Sequence, residues 1–79
     1  MSRYYFDIRD GEDFTEDDEG IELQGIAEAQ LEAAAAFAEI CKDFHMKDPD
    51  PSGYPLSVEV RDANGRPLLE LAFRFVARH

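Results

Sequence analysis

Residues 25–46, GIAEAQLEAAAAFAEICKDFHM, decide the fold. At 3.6 residues per turn, Ile26, Ala27, Leu31, Ala33, Ala34, Phe37, Ala38, Ile40, Cys41 and Phe44 fall on one half of a helical cylinder, and Glu28, Glu32, Glu39, Lys42 and Asp43 on the other. So wide an apolar stripe belongs to a helix that covers a sheet, because a coiled-coil seam is narrower and repeats over several heptads. The helix therefore predicts a partner layer. Gly25 can serve as its N-cap, and Glu28 stands three residues on, where a capping-box carboxylate reaches back. The alanines at 33–36 combine high helix propensity with small bulk, so this side can approach a sheet closely. Gln30 lies near the middle of the stripe, where it is expected to hydrogen-bond the chain crossing the first turn.

Outward from the helix, the pattern changes to a period of two. Residues 3–9 put Tyr4, Phe6 and Ile8 on one face and Arg3, Tyr5, Asp7 and Arg9 on the other, which is a half-buried strand. Asp10-Gly11 signals a turn, after which residues 12–15, with Phe14 as their one large apolar side chain, can pair back as a short strand. Residues 10–22 carry eight carboxylates and no base. They predict an extended, weakly ordered loop crossing the sheet end, with Leu23 packing onto the first helical turn. Beyond the helix, three prolines in residues 48–55 forbid helix or central strand and predict an extended linker. Leu56, Val58 and Val60 then alternate with Ser57, Glu59 and Arg61, and Leu69, Leu71, Phe73, Phe75 and Ala77 form a second alternating set. Asn64-Gly65 between them is the strongest hairpin signal in the chain.

The order strand, strand, helix, strand, strand predicts an α+β domain over residues 1–79. In it a four-stranded, mainly antiparallel sheet is covered on one face by one long helix. Tyr4, Phe6, Ile8, Leu56, Val58, Val60, Leu69, Leu71, Phe73 and Phe75 should meet the helix. The other face is expected to stand in water or against a partner.

Length and charge limit what such a domain can do. A chain of 79 residues buries only about 60% of its unfolded surface, so its core is one thin layer. The net charge of −10 is uneven: residues 1–53 hold fifteen acids and four bases, residues 54–79 three acids and four bases. This surface lacks the cationic footprint that nucleic acids require, and suits a basic protein partner. No run approaches the ~20 apolar residues of a membrane span, and the start opens into a strand without a signal-peptide core, so a cytoplasmic protein is expected. The single Cys41 cannot form an internal disulfide and reads as a small buried hydrophobe.

Few residues can carry chemistry. Asp13, Thr15 and Asp17 imitate the first odd positions of a calcium loop, but Asp18 occupies the place of the sharp-turn glycine and Gln24 that of the bidentate glutamate. No specific metal and no cofactor is expected. His45 sits in the last helical turn, where an imidazolium suits the dipole, and His79 ends the sequence. There is no Ser-His pairing and no glycine-rich phosphate loop, and nothing around the thiol would lower its pKa. The expectation is a protein without catalytic residues.

The segments Arg3-Tyr4-Tyr5-Phe6-Asp7-Ile8-Arg9-Asp10-Gly11, Asp18-Glu19-Gly20-Ile21-Glu22-Leu23 and Val58-Glu59-Val60-Arg61-Asp62-Ala63-Asn64-Gly65, with the alanine-rich helix between them, resemble a family of small bacterial proteins classed only as a domain of unknown function. The resemblance covers nearly the whole length and implies neither an activity nor a site. Gly25 stands where an Asp cap is common in that family. In topology alone the chain is similar to antitoxins with a partial ribonuclease-H-like fold, which implies a regulator neutralising a basic partner.

The function expected from these residues is a non-catalytic interaction or self-associating module. Its interface would be the sheet surface or edge that the helix leaves uncovered, built from Arg3, Tyr5, Arg61, Ala72, Arg74 and Val76, with Leu68 beside them. Mixed Tyr, Arg and aliphatic residues are what interface centres favour, and a two-fold contact offsets a thin core. Arg3, Arg61 and Arg74 would face Glu59 and Glu70 across that contact or within the sheet. A homodimer or a protein partner is therefore expected. The alternative is a metal- or small-ligand-binding protein that uses the acidic loop 10–22.

Overall fold

The computed structural model describes residues 1–11, 13–42 and 56–73. Strand β1 (Ser2–Asp10) is followed by two short strands, β2 (Asp13–Thr15) and β3 (Ile21–Leu23), then helix α1 (Ile26–Lys42), β4 (Leu56–Arg61) and β5 (Pro67–Phe73). The expected prolyl linker 48–55, the last helical residues 43–46 with His45, and Arg74, Phe75, Val76, Ala77 and His79 lie outside the described residues.

All pairings among the described residues are antiparallel. The sheet runs β2-β1-β4-β5, and β3 also pairs with β1. It is an open sheet with one helix on one face, the α+β architecture expected from the alternating strands. β4 takes a central place because its helix-facing side is wholly apolar: Leu56, Val58 and Val60 are fully buried. The β4–β5 hairpin closes through a three-residue loop, 63–65, in which the Asp62 N–H donates to the Arg66 carbonyl and Gly65 adopts a φ of 82°. The Asp62 carboxylate accepts from the N–H groups of Asn64 and Arg66, which fixes the turn. Past the turn the register shifts: Arg61 opposes Pro67 and Val60 opposes Leu69, which leaves Leu68 as a bulged surplus residue.

The acidic stretch departs from expectation. It does not cross the sheet end but runs back along β1, so that β2 pairs with Ile8–Asp10 and β3 with Ser2–Tyr4. Thr15 opposes Ile8 and Ile21 opposes Tyr4, so five residues, 16–20, stand opposite three, 5–7. Residues 13–23 thus form one edge strand interrupted by a two-residue excess. Repulsion among carboxylates does not prevent this because several of them are bonded, as described below.

The helix is also turned from its expected setting. Its buried ridge is Ala29 and Ala33, flanked by Ala36, Phe37 and Ile40, and it packs on Tyr4, Leu23, Val58 and Val60. Leu31 is 72% exposed, and Ile26, Ala27, Ala34, Ala38 and Gln30 also face solvent. Seven alanines between 26 and 42 put small apolar side chains all round the cylinder, so apolarity alone does not fix the face. Charge does: at 100° per residue, Leu31 shares its side with Lys42, about 20° away, and Glu28, about 60° away, whereas the 29–33–36–40 ridge keeps charges to its flanks. The first helical bond runs from the Ala29 N–H to the Gly25 carbonyl, so Gly25 is the N-cap as expected. The Glu28 carboxylate accepts from the Gln24 N–H, one residue before the cap.

Candidate functional site

The sheet face away from the helix is not simply solvated. Asp7 is 5% exposed and Ser57 is also buried there. Antiparallel pairing places Asp7 beside Glu59 and Tyr5 beside Arg61 across β1 and β4, so Arg61 stands diagonal to Asp7. Arg61 reaches back and forks onto the carboxylate, with Nε to Oδ2 at 2.6 Å and Nη2 to Oδ1 at 3.1 Å. Its Nη2 also donates to the Asp17 carbonyl at 2.8 Å, and the guanidinium lies over the Tyr5 ring, 4.9 Å from the centroid. Glu16, at 3.7 Å, is an exposed and weakly coupled neighbour. The Asp7 carboxylate holds Arg61 more firmly protonated than usual, against the opposing effect of burial.

Asp17 is the matching piece on the loop. Its N–H donates to Asp7 Oδ1, its Oδ2 accepts from the Phe6 N–H, and its Oδ1 accepts from Glu19 and Gly20. The Phe6 donor belongs to the part of β1 that faces neither β2 nor β3, so Asp17 supplies the bond that a strand would have made. Burial works against its charge, but the N–H groups of Gly20, Phe6 and Glu19, together with Arg61, outweigh it and hold the carboxyl below its ordinary value. Gly20 closes the loop with a φ of 73°. A Cβ there would stand 2.8 Å from Arg3 Cγ, 2.9 Å from the Tyr5 ring and 3.0 Å from the Tyr4 carbonyl. Arg3 completes the clamp, with Nη1 donating to the Glu19 carbonyl at 2.6 Å.

On the helix side, the loop forms one wall of a cleft of about 390 Å³. Phe6, Ile8, Ile21 and Ala36 supply apolar surface, and Glu16, Asp17, Asp18, Glu19 and Glu32 surround it, with Thr15 at one end. The cleft exists because the helix packs its alanines down on β4 and leaves Phe6 and Ile8 of β1 half-covered.

Of the residues expected at an interface, Arg3, Tyr5 and Arg61 are brought together: Arg3 and Arg61 bond the chain's own loop, and Tyr5 lies under the Arg61 guanidinium. Ala72 is exposed on the same face, opposite Ser57. Arg74 and Val76 lie outside the described residues. The expected facing of Arg61 with Glu59 or Glu70 is replaced by its pairing with Asp7, while Glu59 and Glu70 are direct cross-strand partners of each other. In the acidic loop, Asp13 and Thr15 belong to β2, and both oxygens of Asp17 are taken by backbone donors. Among the described residues, no three His, Cys, Asp or Glu side chains converge to hold a metal ion. Likewise, no described helix is long and apolar enough to cross a membrane.

A protein-family model covers almost all of these elements, matching residues 3–74. The chain belongs to the family described as Domain of unknown function (DUF6894). Its match takes in β1 from Arg3 onward, the bulged edge, the helix and the hairpin, consistent with the expected membership of an uncharacterised domain family. No curated protein and no solved structure matches the chain. DUF6894 thus supplies a family without an activity, and none of these comparisons supports the expected similarity to antitoxins.

Asp7 was not singled out by the sequence, and Asp17 was singled out only as an imitation of a calcium-loop position, not as the residue that anchors the loop. Asp7 reads as an outward, solvated residue of an alternating strand, and only the register of β1 on β4 sets Arg61 beside it. For Asp17 a signal does exist: Asp-x-x-Gly is a local turn in which the carboxylate accepts from the following N–H groups.

Proposed function

We propose that this domain is a non-catalytic interaction module that associates with a second copy of itself through the β5 edge of its sheet. The observation that carries the reading is the contrast between the two edges. The β2/β3 edge is broken into two three-residue strands by a bulged acidic loop, which is how natural sheets prevent unwanted pairing. On the β5 side, Pro67 and the Leu68 bulge protect the turn end, but Leu69-Glu70-Leu71-Ala72 carries one charge, and among the described residues no strand lies beyond it. A regular apolar edge of this kind is a template for strand addition, and two-fold pairing of β5 would continue the sheet from one copy to the next.

The absence of a role in catalysis is supported by the state of the polar groups. The Asp7 carboxylate accepts from Arg61 and the Asp17 N–H, the Asp17 carboxylate accepts from three backbone N–H groups, and a carboxyl held below its ordinary value is a poor proton donor or acceptor near neutrality. Light scattering up to a few hundred micromolar tests the association. A dimer mass that reverts to monomer in Ala72→Lys, with unchanged far-UV dichroism, is expected. A monomer mass across the whole range refutes it.

A further inference from the structure

The cleft between the helix and the loop 16–20 joins two chemistries that a solvated surface does not need together. Its floor is Phe6, Ile8 and Ala36, and its rim carries Asp18, Glu19 and Glu32, whose side chains have no hydrogen-bond or ion-pair partner among the described residues. At about 390 Å³ it lies toward the lower end of ligand-sized pockets, which span roughly 300–1,000 Å³. The loop wall is fixed, because Asp17 is bonded to Phe6, Asp7, Glu19, Gly20 and Arg61 at its base. The backbone that carries Asp18 and Glu19 is therefore anchored opposite Glu32 of the helix, and none of the three carboxylates is paired among the described residues.

We infer that this cleft docks a basic amphipathic segment of a protein partner, with one aliphatic side chain against Phe6 and Ile8 and a Lys or Arg on each side, facing Asp18 with Glu19 and Glu32. Charge complementarity selects the occupant. Phosphates, carboxylates, nucleic acid and anionic lipid surfaces are repelled by a rim of one negative sign. A bare metal ion finds no convergent ligand set among the described residues. A polyamine satisfies the rim but offers the apolar floor only the methylenes between its charges, whereas a Lys-aliphatic-Lys segment adds a branched apolar side chain that fills it. The surface lies on the helix side of the sheet, so the inference stands whether or not β5 pairs with a second copy.

The test is an amide chemical-shift titration of the ¹⁵N-labelled chain with three probes at equal ionic strength. The probes are an end-capped pentapeptide Lys-Leu-Lys-Leu-Lys, its Lys-Ser-Lys-Ser-Lys counterpart, and spermidine. The leucine peptide should shift Phe6, Ile8 and Ala36 and weaken with added salt, and the serine peptide and spermidine should bind far less. Asp18→Lys combined with Glu32→Lys should weaken the leucine peptide about tenfold at low salt, as expected for removing and reversing two exposed charge contacts. Glu70→Lys, on the other sheet face, should leave it unchanged. The inference is overturned if spermidine or the serine peptide binds as well as the leucine peptide. It is also overturned if the shifts fall on Leu31 or the outer sheet face, if Glu70→Lys weakens binding as much as the rim variant, or if millimolar peptide shifts nothing. The comparison among probes needs no mutant, so it decides the matter even if the rim variant is unstable.

Discussion

Replacing Asp7 by alanine should detach the acidic loop from the sheet. Asp7 is 5% exposed and accepts three hydrogen bonds, from the Asp17 N–H at 2.9 Å and from Arg61 at 2.6 and 3.1 Å. Removing one partner of a buried ion pair costs about 3–5 kcal/mol, because the other is left uncompensated. The Arg61 side chain keeps 20% of its exposure, so water can reach the guanidinium, and the cost falls to about 2–3 kcal/mol. For a domain of this size that is a drop in Tm of roughly 10–20 °C, and a sizeable part of the ~5–15 kcal/mol that holds small domains together. Asp7→Asn keeps the shape and one acceptor and should lose about half as much. Urea unfolding followed by far-UV dichroism measures the cost. Amide exchange locates it: Glu19 and Gly20, whose N–H groups donate to Asp17, should lose protection well before Val58 on the central strand. If Asp7→Ala melts within a few degrees of the parent, or if exchange rises uniformly, the network is not what places the loop.

Gly20→Ala should cost about 2–3 kcal/mol in urea unfolding, since a left-handed residue is strained by roughly 1–2 kcal/mol and the new methyl meets Arg3, Tyr5 and the Tyr4 carbonyl. Asp17 should make the fold acid-sensitive: its folded pKa lies below the ordinary 3.8, so the unfolded chain binds the proton more readily. Its contribution is complete above that ordinary value and is lost as pH falls through the lowered folded value, so urea midpoints of Asp17→Asn should fall less steeply below pH 3.8 than those of the parent. Phe37→Ala should cost about 2–3 kcal/mol, less than the ~3–5 kcal/mol of a fully buried phenylalanine, because Phe37 sits at the margin of the helix ridge. A melting curve that does not move would show that Phe37 makes no core contact.

What the sequence yields and withholds follows from what each signal depends on. The strands were legible because alternation over Tyr4, Phe6 and Ile8, or Leu56, Val58 and Val60, is local. The hairpin was legible because its turn residues are adjacent. The helix was legible as an element but not in its setting: with alanine on every side, Leu31 outweighs the ridge through Ala29 and Ala33 in any count of apolarity, although that ridge is the one that touches β4. The loop misled for a different reason. Eight carboxylates suggest repulsion, yet Asp17 spends its charge on three N–H groups and Asp7 spends its own on Arg61, a residue 54 positions away. Charge counts along the chain do not carry that distance, whereas the register of β1 on β4 does.

Both proposed surfaces have one geometrical origin. Four strands at about 4.8 Å spacing make a sheet about 14 Å wide between outer axes, wider still with side chains, while a helix is about 10–12 Å across and narrower on a side made of alanines. One helix cannot cover such a sheet from edge to edge. By burying Ala29 and Ala33, this helix gains close contact with Val58 and Val60 and gives up reach to either side. Towards β5 it leaves Leu69 and Leu71 half-covered beside an apolar edge. Towards β1 it leaves Phe6 and Ile8 half-covered, and there the chain raises a wall of acids bolted down by Asp7, Arg61 and Asp17. A larger residue at position 33 would test this origin directly: Ala33→Leu should lift the helix from β4, cost about 1–3 kcal/mol by overpacking, and widen the cleft. If the fold took the leucine without loss, the close approach of helix to sheet would not be what shapes the two open flanks.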